Sequence, residues 1–259
     1  MLLLPEHFDA CRPFEDSSSL RDDDGALHRR AHEQGYLYVR GLVPPDTVAE
    51  LRRVCVQVAA EMGWVRFDAH NPSTVRPVEG AGMSGRGWDD PRFVEMQRRV
   101  CFHPAFYALV RHPVVLQVMA AVFGEEPDVA YTNHVWLKLP GSPEHTTSPH
   151  QDLYYLPKCP QMWSLWFPLV DTPMPVGPLG IVPGSHHSLL PHVDNQTGIA
   201  LPRQTQWVSG DVVPGDVVAF HVSTIHCAWS NVSPDAVRIS LDVRYEPAST
   251  PDSLLRLPT

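Results

Sequence analysis

The second half of the chain consists of short apolar runs separated by prolines and glycines. The whole chain contains 27 prolines and 16 glycines. Val129, Tyr131, Asn133, Val135 and Leu137 alternate with their neighbours, which is the period of a strand. Strand-like runs recur at residues 163–170, 179–182, 217–222, 225–229 and 237–245. Several short strands at this spacing predict a sandwich or a barrel, and the jelly roll is the version that ends in a deep, ligand-sized mouth.

The first part of the chain has helical patterns. Residues 22–34 predict a helix and residues 36–40 a strand. From Pro45 to Gly63, apolar residues recur three or four positions apart and predict an amphipathic helix. Further helical patterns cover residues 93–99, 105–110 and 114–122.

We therefore predict a mainly β fold with flanking helices. Its core is a double-stranded β-helix, a cupin-like jelly roll over residues 126–247, and the N-terminal helices of residues 1–125 buttress one sheet. A single domain over residues 1–259 is expected, because this length is near the upper limit of roughly 250–300 residues for one core.

Residues 71–88 lie between two helical regions and have no period. Their prolines and glycines predict a loop, and a loop this long in a compact domain is either a functional lid or plain surface disorder. Met83 and Trp88 are apolar groups that suit a lid, and Arg76 and Arg86 suit an anionic substrate. Both interpretations stay open from the sequence.

Charge and cysteine content restrict the partners and the metal chemistry. A formal charge of −9 argues against nucleic acid or an anionic membrane as the main partner. No run approaches the ~18 apolar residues of a membrane span, and we expect a cytoplasmic protein. The five cysteines include no C-x-x-C pair, so a metal would be bound by histidine and carboxylate.

Two H-x-D sequences occur, His150-Gln-Asp152 and His192-Val-Asp194. The second lies in a polar, turn-rich segment and is interpreted as a solvated loop. The first begins a strand-like run, in which residues 150 and 152 point to the same face because strand side chains have a period of two. We therefore expect His150 and Asp152 to present two metal ligands together.

A third ligand is available from the later strands. His226 and His221 are both candidates; their odd spacing puts them on opposite strand faces, and the distance to Arg238 favours His226. Arg238 and Ser240 lie on one face of an apolar strand, where an arginine requires a buried carboxylate as its partner. Two imidazoles and one carboxylate form the facial arrangement that suits ferrous iron and leaves positions open for other ligands.

These segments resemble the phytanoyl-CoA dioxygenase family of iron(II)- and 2-oxoglutarate-dependent oxygenases. The resemblance covers most of residues 35–245. It rests on residues 35–43, 137–142, 150–157, 163–169 and 180–186, on His226 and on residues 238–240.

The resemblance implies the cofactors and the site. Iron(II) would be bound by His150, Asp152 and His226, and the co-substrate 2-oxoglutarate by Arg238 with help from Ser240. Lys138, His134 and Trp166 are implied as further contacts of 2-oxoglutarate.

The function implied is a dioxygenase that uses O2 to hydroxylate an unactivated carbon of a small organic substrate, with release of succinate and CO2. Two alternatives remain: a cupin-like metal oxygenase or isomerase that uses the triad without 2-oxoglutarate, and a non-enzymatic jelly-roll binding module. A CoA thioester is disfavoured as substrate, because the chain has a net charge of −9 and only two lysines for its phosphates. The oligomeric state cannot be inferred.

Overall fold

The structure is a computed structural model. It describes residues 11–68, 71–82, 90–130, 133–141, 146–193 and 198–250. Within those residues no single helix is long and apolar enough to cross a membrane; two consecutive helices, Pro104–Val110 and Pro113–Phe123, pass that test only as a pair bent by 44°.

Five α-helices form in the first half of the described chain, close to their predicted bounds. They are α1 (Asp24–Gln34), α2 (Pro45–Glu61), α3 (Pro91–Cys101), α4 (Pro104–Val110) and α5 (Pro113–Phe123). Proline occupies the first position of α2 to α5, where its missing N–H has no helical acceptor to lose. Gly35 and Gly124 end α1 and α5 in the left-handed conformation, as their positions predicted.

Two antiparallel sheets form the jelly roll. The larger sheet has the order β1-β9-β7-β11-β4, with β5 also paired to β11. Its strands are β1 (Tyr36–Val39), β4 (Pro127–Val129), β5 (His134–Lys138), β7 (Trp163–Pro168), β9 (Val217–His221) and β11 (Arg238–Pro247). The smaller sheet has the order β6-β10-β8, formed by Thr147–His150, His226–Ala228 and Leu179–Ile181. The predicted fold class is confirmed.

Strand β11 separates the two environments of the larger sheet. Ile239, Leu241, Val243 and Tyr245 point outward and join the main hydrophobic core, which the helices complete. The alternate residues point to the inside of the jelly roll and are polar or charged. Arg238, Ser240, Arg244 and Glu246 are buried, and Asp242 is partly exposed. Period-two alternation thus places an apolar core on one side of the strand and a polar cavity on the other.

The prediction of a loop over residues 71–88 is wrong in its first part. Strand β3 (Asn71–Pro77) pairs with β2 (Val65–Asp68) in a two-stranded hairpin. Both strands of such a hairpin are edge strands, where proline is tolerated because no second neighbour needs its N–H. Arg76 lies 3.4 Å from the carboxylate of Asp235 on the surface. Residues 83–89, which include Met83, Arg86 and Trp88 of the predicted lid, lie outside the described residues.

Candidate metal centre

His150, Asp152 and His226 meet inside the mouth of the jelly roll. His150 ends β6 and His226 begins β10, and the two are direct partners across these strands. Asp152 Oδ1 lies 3.3 Å from His150 Nε2 and 3.7 Å from His226 Nε2. One ligand atom from each residue lies within 4.8 Å of the other two, and all three residues are buried. This is the one group in the described part of the chain that matches a metal site of three such ligands.

Strand β6 ends at His150, and Asp152 is the first residue of a 3-10 turn over Asp152–Tyr154, so the strand stops earlier than the sequence predicts. Gln151, between the two residues, keeps an extended backbone with φ −116° and ψ 126°. This extended residue is consistent with the predicted placement of His150 and Asp152 on one face.

Both imidazoles are oriented by backbone carbonyls. His150 Nδ1 lies 2.8 Å from the Ser148 oxygen, and His226 Nδ1 lies 3.0 Å from the Thr224 oxygen. A carbonyl accepts but cannot donate, so Nδ1 carries the proton in each ring and Nε2 keeps its lone pair for a metal. Burial, followed by the proximity of His150, lowers the pKa of His226 to about 3, so this ring is neutral at physiological pH.

The second oxygen of Asp152 is held by the larger sheet. Ser164 Oγ donates to Asp152 Oδ2 over 3.0 Å, and Arg244 Nη2 donates to the same oxygen over 3.2 Å. Arg244 also lies 2.8 Å from Asp242 Oδ2, and its Nη1 lies 2.8 Å from His134 Nδ1. Asp152 Oδ2 is thereby fixed, which leaves Oδ1 directed at the two histidines.

This network keeps the Asp152 carboxylate ionised. Burial alone would raise the pKa of Asp152, but Arg244, His226 and His150 hold it well below its usual range. Arg244 was not assigned to the metal centre from the sequence. Its position on the same strand face as Arg238, with even spacing, is the pattern from which its inward direction follows.

A second polar region lies farther along the inner face. Arg238 is 2 % exposed, and its Nη1 donates to the Gly177 carbonyl over 2.6 Å. Arg238 Nε, Ser240 Oγ and Trp166 Nε1 are buried without a hydrogen-bond partner among the described residues. Burial lowers the pKa of Arg238 to about 9, and the charge of Asp242 offsets this effect only in part. Three unpartnered buried donors beside a buried cation fit an anionic, oxygen-rich ligand.

Lys138 lies at the Arg238 end of this face, and His134 lies at the other end. Lys138 is the cross-strand partner of Arg238 and donates from Nζ to the carbonyls of Ala228 and Trp229, over 3.2 and 3.1 Å. Burial and then Arg238 lower its pKa well below the usual range. His134 instead contacts Arg244, and burial lowers its pKa to about 3. The structure thus groups Lys138, but not His134, with Arg238.

The two other histidines considered in the sequence are placed elsewhere. His221 ends β9, accepts a hydrogen bond from Ser223 N over 3.1 Å and packs edge-on against Trp163. His192 accepts a hydrogen bond from the backbone N–H of Gln151 over 3.3 Å, so it is not simply a solvated loop residue. Asp194, its partner in the second H-x-D sequence, lies outside the described residues.

The chain is similar to known proteins over most of its length. The family described as phytanoyl-CoA dioxygenase (PhyH) matches residues 31–240. Two proteins named 1-deoxypentalenic acid 11-beta-hydroxylase, from Streptomyces arenae and Streptomyces exfoliatus, are each 28% identical over 93% of this chain and 88% of their own length.

Solved structures share the fold. The non-heme alpha-ketoglutarate-dependent epimerase SnoN from nogalamycin biosynthesis has a TM-score of 0.60 at 24% identity, covering 87% of this chain and 85% of its own. The carbocyclase SnoK from the same biosynthesis has a TM-score of 0.59 at 24% identity, covering 86% and 83%.

Proposed function

The chain belongs to the phytanoyl-CoA dioxygenase family of iron(II)- and 2-oxoglutarate-dependent oxygenases, and from this premise we propose that His150, Asp152 and His226 bind its iron. The observation that carries the proposal is their donor set. Two imidazole Nε2 atoms and one carboxylate Oδ1 lie within 4.8 Å of one another, and this set of ligands suits ferrous iron.

We propose that 2-oxoglutarate binds between the metal centre and Arg238. The co-substrate is a dianion, and Arg238 and Lys138 are two buried basic side chains at paired positions of β11 and β5. Ser240 Oγ and Trp166 Nε1, which have no partner among the described residues, supply further hydrogen-bond donors for the co-substrate. His134 remains a predicted contact of the co-substrate, although its position beside Arg244 supports it less than the others.

Iron and 2-oxoglutarate, when bound, supply the oxidising chemistry, in which O2 is consumed and 2-oxoglutarate is converted to succinate and CO2. The contribution of the chain is to hold and orient these groups. Ser164 and Arg244 fix Asp152 Oδ2, so that the carboxylate binds through Oδ1 without rotating. The apolar inner residues Tyr36, Tyr38, Val218 and Phe220 restrict the access of water to the cavity.

Hydroxylation of a small organic molecule is the proposed outcome. Both curated relatives are named as hydroxylases, whereas two structural neighbours are named as an epimerase and a carbocyclase. Asp152 supplies the carboxylate ligand, so the iron has no vacant protein position for a halide. The alternatives without 2-oxoglutarate or without catalysis do not explain the unpartnered donors around Arg238.

The proposal is tested by following 2-oxoglutarate conversion with purified protein. Succinate should form in air when iron(II) and 2-oxoglutarate are present, and faster when 1-deoxypentalenic acid, the acid in the relatives' names, is added. Product analysis by mass spectrometry should then show a gain of one oxygen atom. Absence of iron-dependent succinate formation would contradict the assigned activity, whereas succinate without acceleration by this acid would contradict only the choice of acid.

A further inference from the structure

Exposed apolar side chains concentrate at the mouth of the jelly roll. The described residues include ten large apolar side chains that are exposed, and five of them lie in two short segments. These are Tyr154 and Tyr155, and Leu189, Leu190 and Val193. Tyr154 is 49 % exposed and Leu189 63 %. Such a concentration of apolar surface beside a reaction centre is typical of a binding site rather than of ordinary protein surface.

The two segments are bound to each other through Gln151, the residue between the proposed iron ligands His150 and Asp152. Leu190 N donates to Gln151 Oε1 over 2.9 Å, and Gln151 Nε2 donates to the Ser188 carbonyl over 2.8 Å. The main chain of the second segment is therefore attached directly to the metal-binding turn.

Aromatic contacts complete this attachment. The rings of Tyr154 and His192 are stacked, with centroids 4.1 Å apart and planes 16° from parallel. Tyr155 packs edge-on against both His192 and the metal-binding ring of His150, with centroids 6.0 and 5.8 Å away. Together with Leu189, Leu190 and Val193, these rings form what we call the entrance rim.

His192 contributes a ring face rather than a charge to the entrance rim. Its Nε2 accepts the hydrogen bond from Gln151 N. A ring nitrogen that accepts a hydrogen bond carries no proton, so this imidazole is neutral. Partial burial also lowers its pKa.

We propose that the entrance rim binds the carbon skeleton of the substrate, and that the substrate is an apolar small molecule rather than a polyhydroxylated one or a CoA thioester. The inference rests on the proposed function for the position of the iron. Rigid aromatic groups supply contact area at low entropic cost, and an apolar skeleton gains most from leaving water there. The rim thereby determines which compounds reach the iron.

Two carboxylates of equal charge test the proposal: adamantane-1-carboxylate, an apolar cage, and quinate, a polyhydroxylated ring. Calorimetric titrations would use the full chain, anaerobically loaded with iron(II) and 2-oxoglutarate, and then the metal-free chain. The apolar acid should bind at least about tenfold more tightly than quinate. Leu189→Ser should weaken its binding about threefold to tenfold, and Tyr154→Ser should weaken it by at least as much.

Val94→Ser is the matched control, because Val94 is an exposed apolar residue on α3, outside the rim. It should bind both acids as the unaltered protein does. Equal affinity for the two acids, or a Leu189→Ser variant that behaves as Val94→Ser, would overturn the proposal; since Leu189 is largely exposed, its variant does not depend on a folding role. Selective binding by the metal-free chain together with failed iron loading would count against the proposed function alone.

Discussion

Arg238→Lys is the substitution that examines the co-substrate site most specifically. Arg238 Nη1 is committed to the Gly177 carbonyl at 2.6 Å, while Nε is buried and has no partner among the described residues. The guanidinium is thus held in position with donors directed into the cavity. A lysine ammonium is a point charge and cannot keep the Gly177 bond while presenting two parallel donors to a carboxylate.

The expected loss follows from the number of contacts removed. One charge-assisted hydrogen bond contributes about 1.5–3 kcal/mol, which corresponds to roughly a ten- to hundredfold weaker binding of 2-oxoglutarate. Binding of the organic substrate should change much less, because Arg238 begins β11, away from Arg244, which contacts Asp152, and is outside the entrance rim. The ratio of the two effects therefore identifies the role of the residue.

The measurement is an anaerobic calorimetric titration of the iron-loaded protein with 2-oxoglutarate. Arg53→Lys serves as the control, because Arg53 is an exposed arginine that forms an ion pair within α2. It should leave the affinity for 2-oxoglutarate unchanged. If Arg238→Lys also leaves it unchanged while the protein stays folded, the anchor is not Arg238, and Lys138 or Arg244 takes its place.

Three further predictions concern the metal centre and the acid stability of the fold. His226→Ala should abolish iron-dependent succinate formation without loss of the cooperative thermal transition; wild-type activity would place the metal elsewhere. Ser164→Ala removes the 3.0 Å hydrogen bond to Asp152 Oδ2 and should weaken iron binding up to about tenfold. The affinity would be measured by competition with a chelator. An unchanged affinity for iron would show that Arg244 alone orients Asp152. Burial, ahead of neighbouring histidines, lowers the pKa of His221 to about 4, against an ordinary value of about 6.5 in the unfolded chain. As the pH falls, His221 is therefore protonated in the unfolded chain before it is protonated in the folded protein. The stability that the neutral His221 gives the fold is complete above pH ~6.5 and is lost toward pH ~4. His221→Asn should reduce the decrease of the urea unfolding midpoint between pH 7 and pH 5. The control His103→Asn, at the N-cap of α4, should leave this decrease unchanged. An equal pH dependence of the midpoint in His221→Asn and in the unaltered protein would refute the assignment.

The sequence predicted the helices and strands well where the apolar periodicity was strong, or where prolines and glycines marked the ends of an element. Helix α2 was predicted from its apolar stripe, and the strands of the jelly roll from alternation between prolines and glycines. The hairpin of β2 and β3 was missed, because prolines such as those in residues 71–77 usually indicate a loop. In a two-stranded hairpin both strands are edge strands, which tolerate proline. The turn at Asp152 was missed because residues 150–156 have the composition of a strand and contain no proline or glycine that would mark a turn.

The site was predictable in its residue types but not in its network. Alternation along β11 placed Arg238 and Ser240 inside, and the same rule extends to Asp242 and Arg244. That Arg244 binds Asp152, and so orients a metal ligand, depends on the register of β11 against β7. Pairing between strands distant in the sequence leaves no local pattern. The contact of His192 with Gln151 is equally non-local.

The most direct test of the central claim is the absorption spectrum of the protein under anaerobic conditions. Addition of 2-oxoglutarate to protein loaded with one equivalent of iron(II) should produce a visible metal-to-ligand charge-transfer band. The band should be absent in His150→Ala and His226→Ala, and should require a higher 2-oxoglutarate concentration in Arg238→Lys. A normally folded protein that develops no band with iron and 2-oxoglutarate, or a band that persists in the ligand variants, would contradict the assignment of this site.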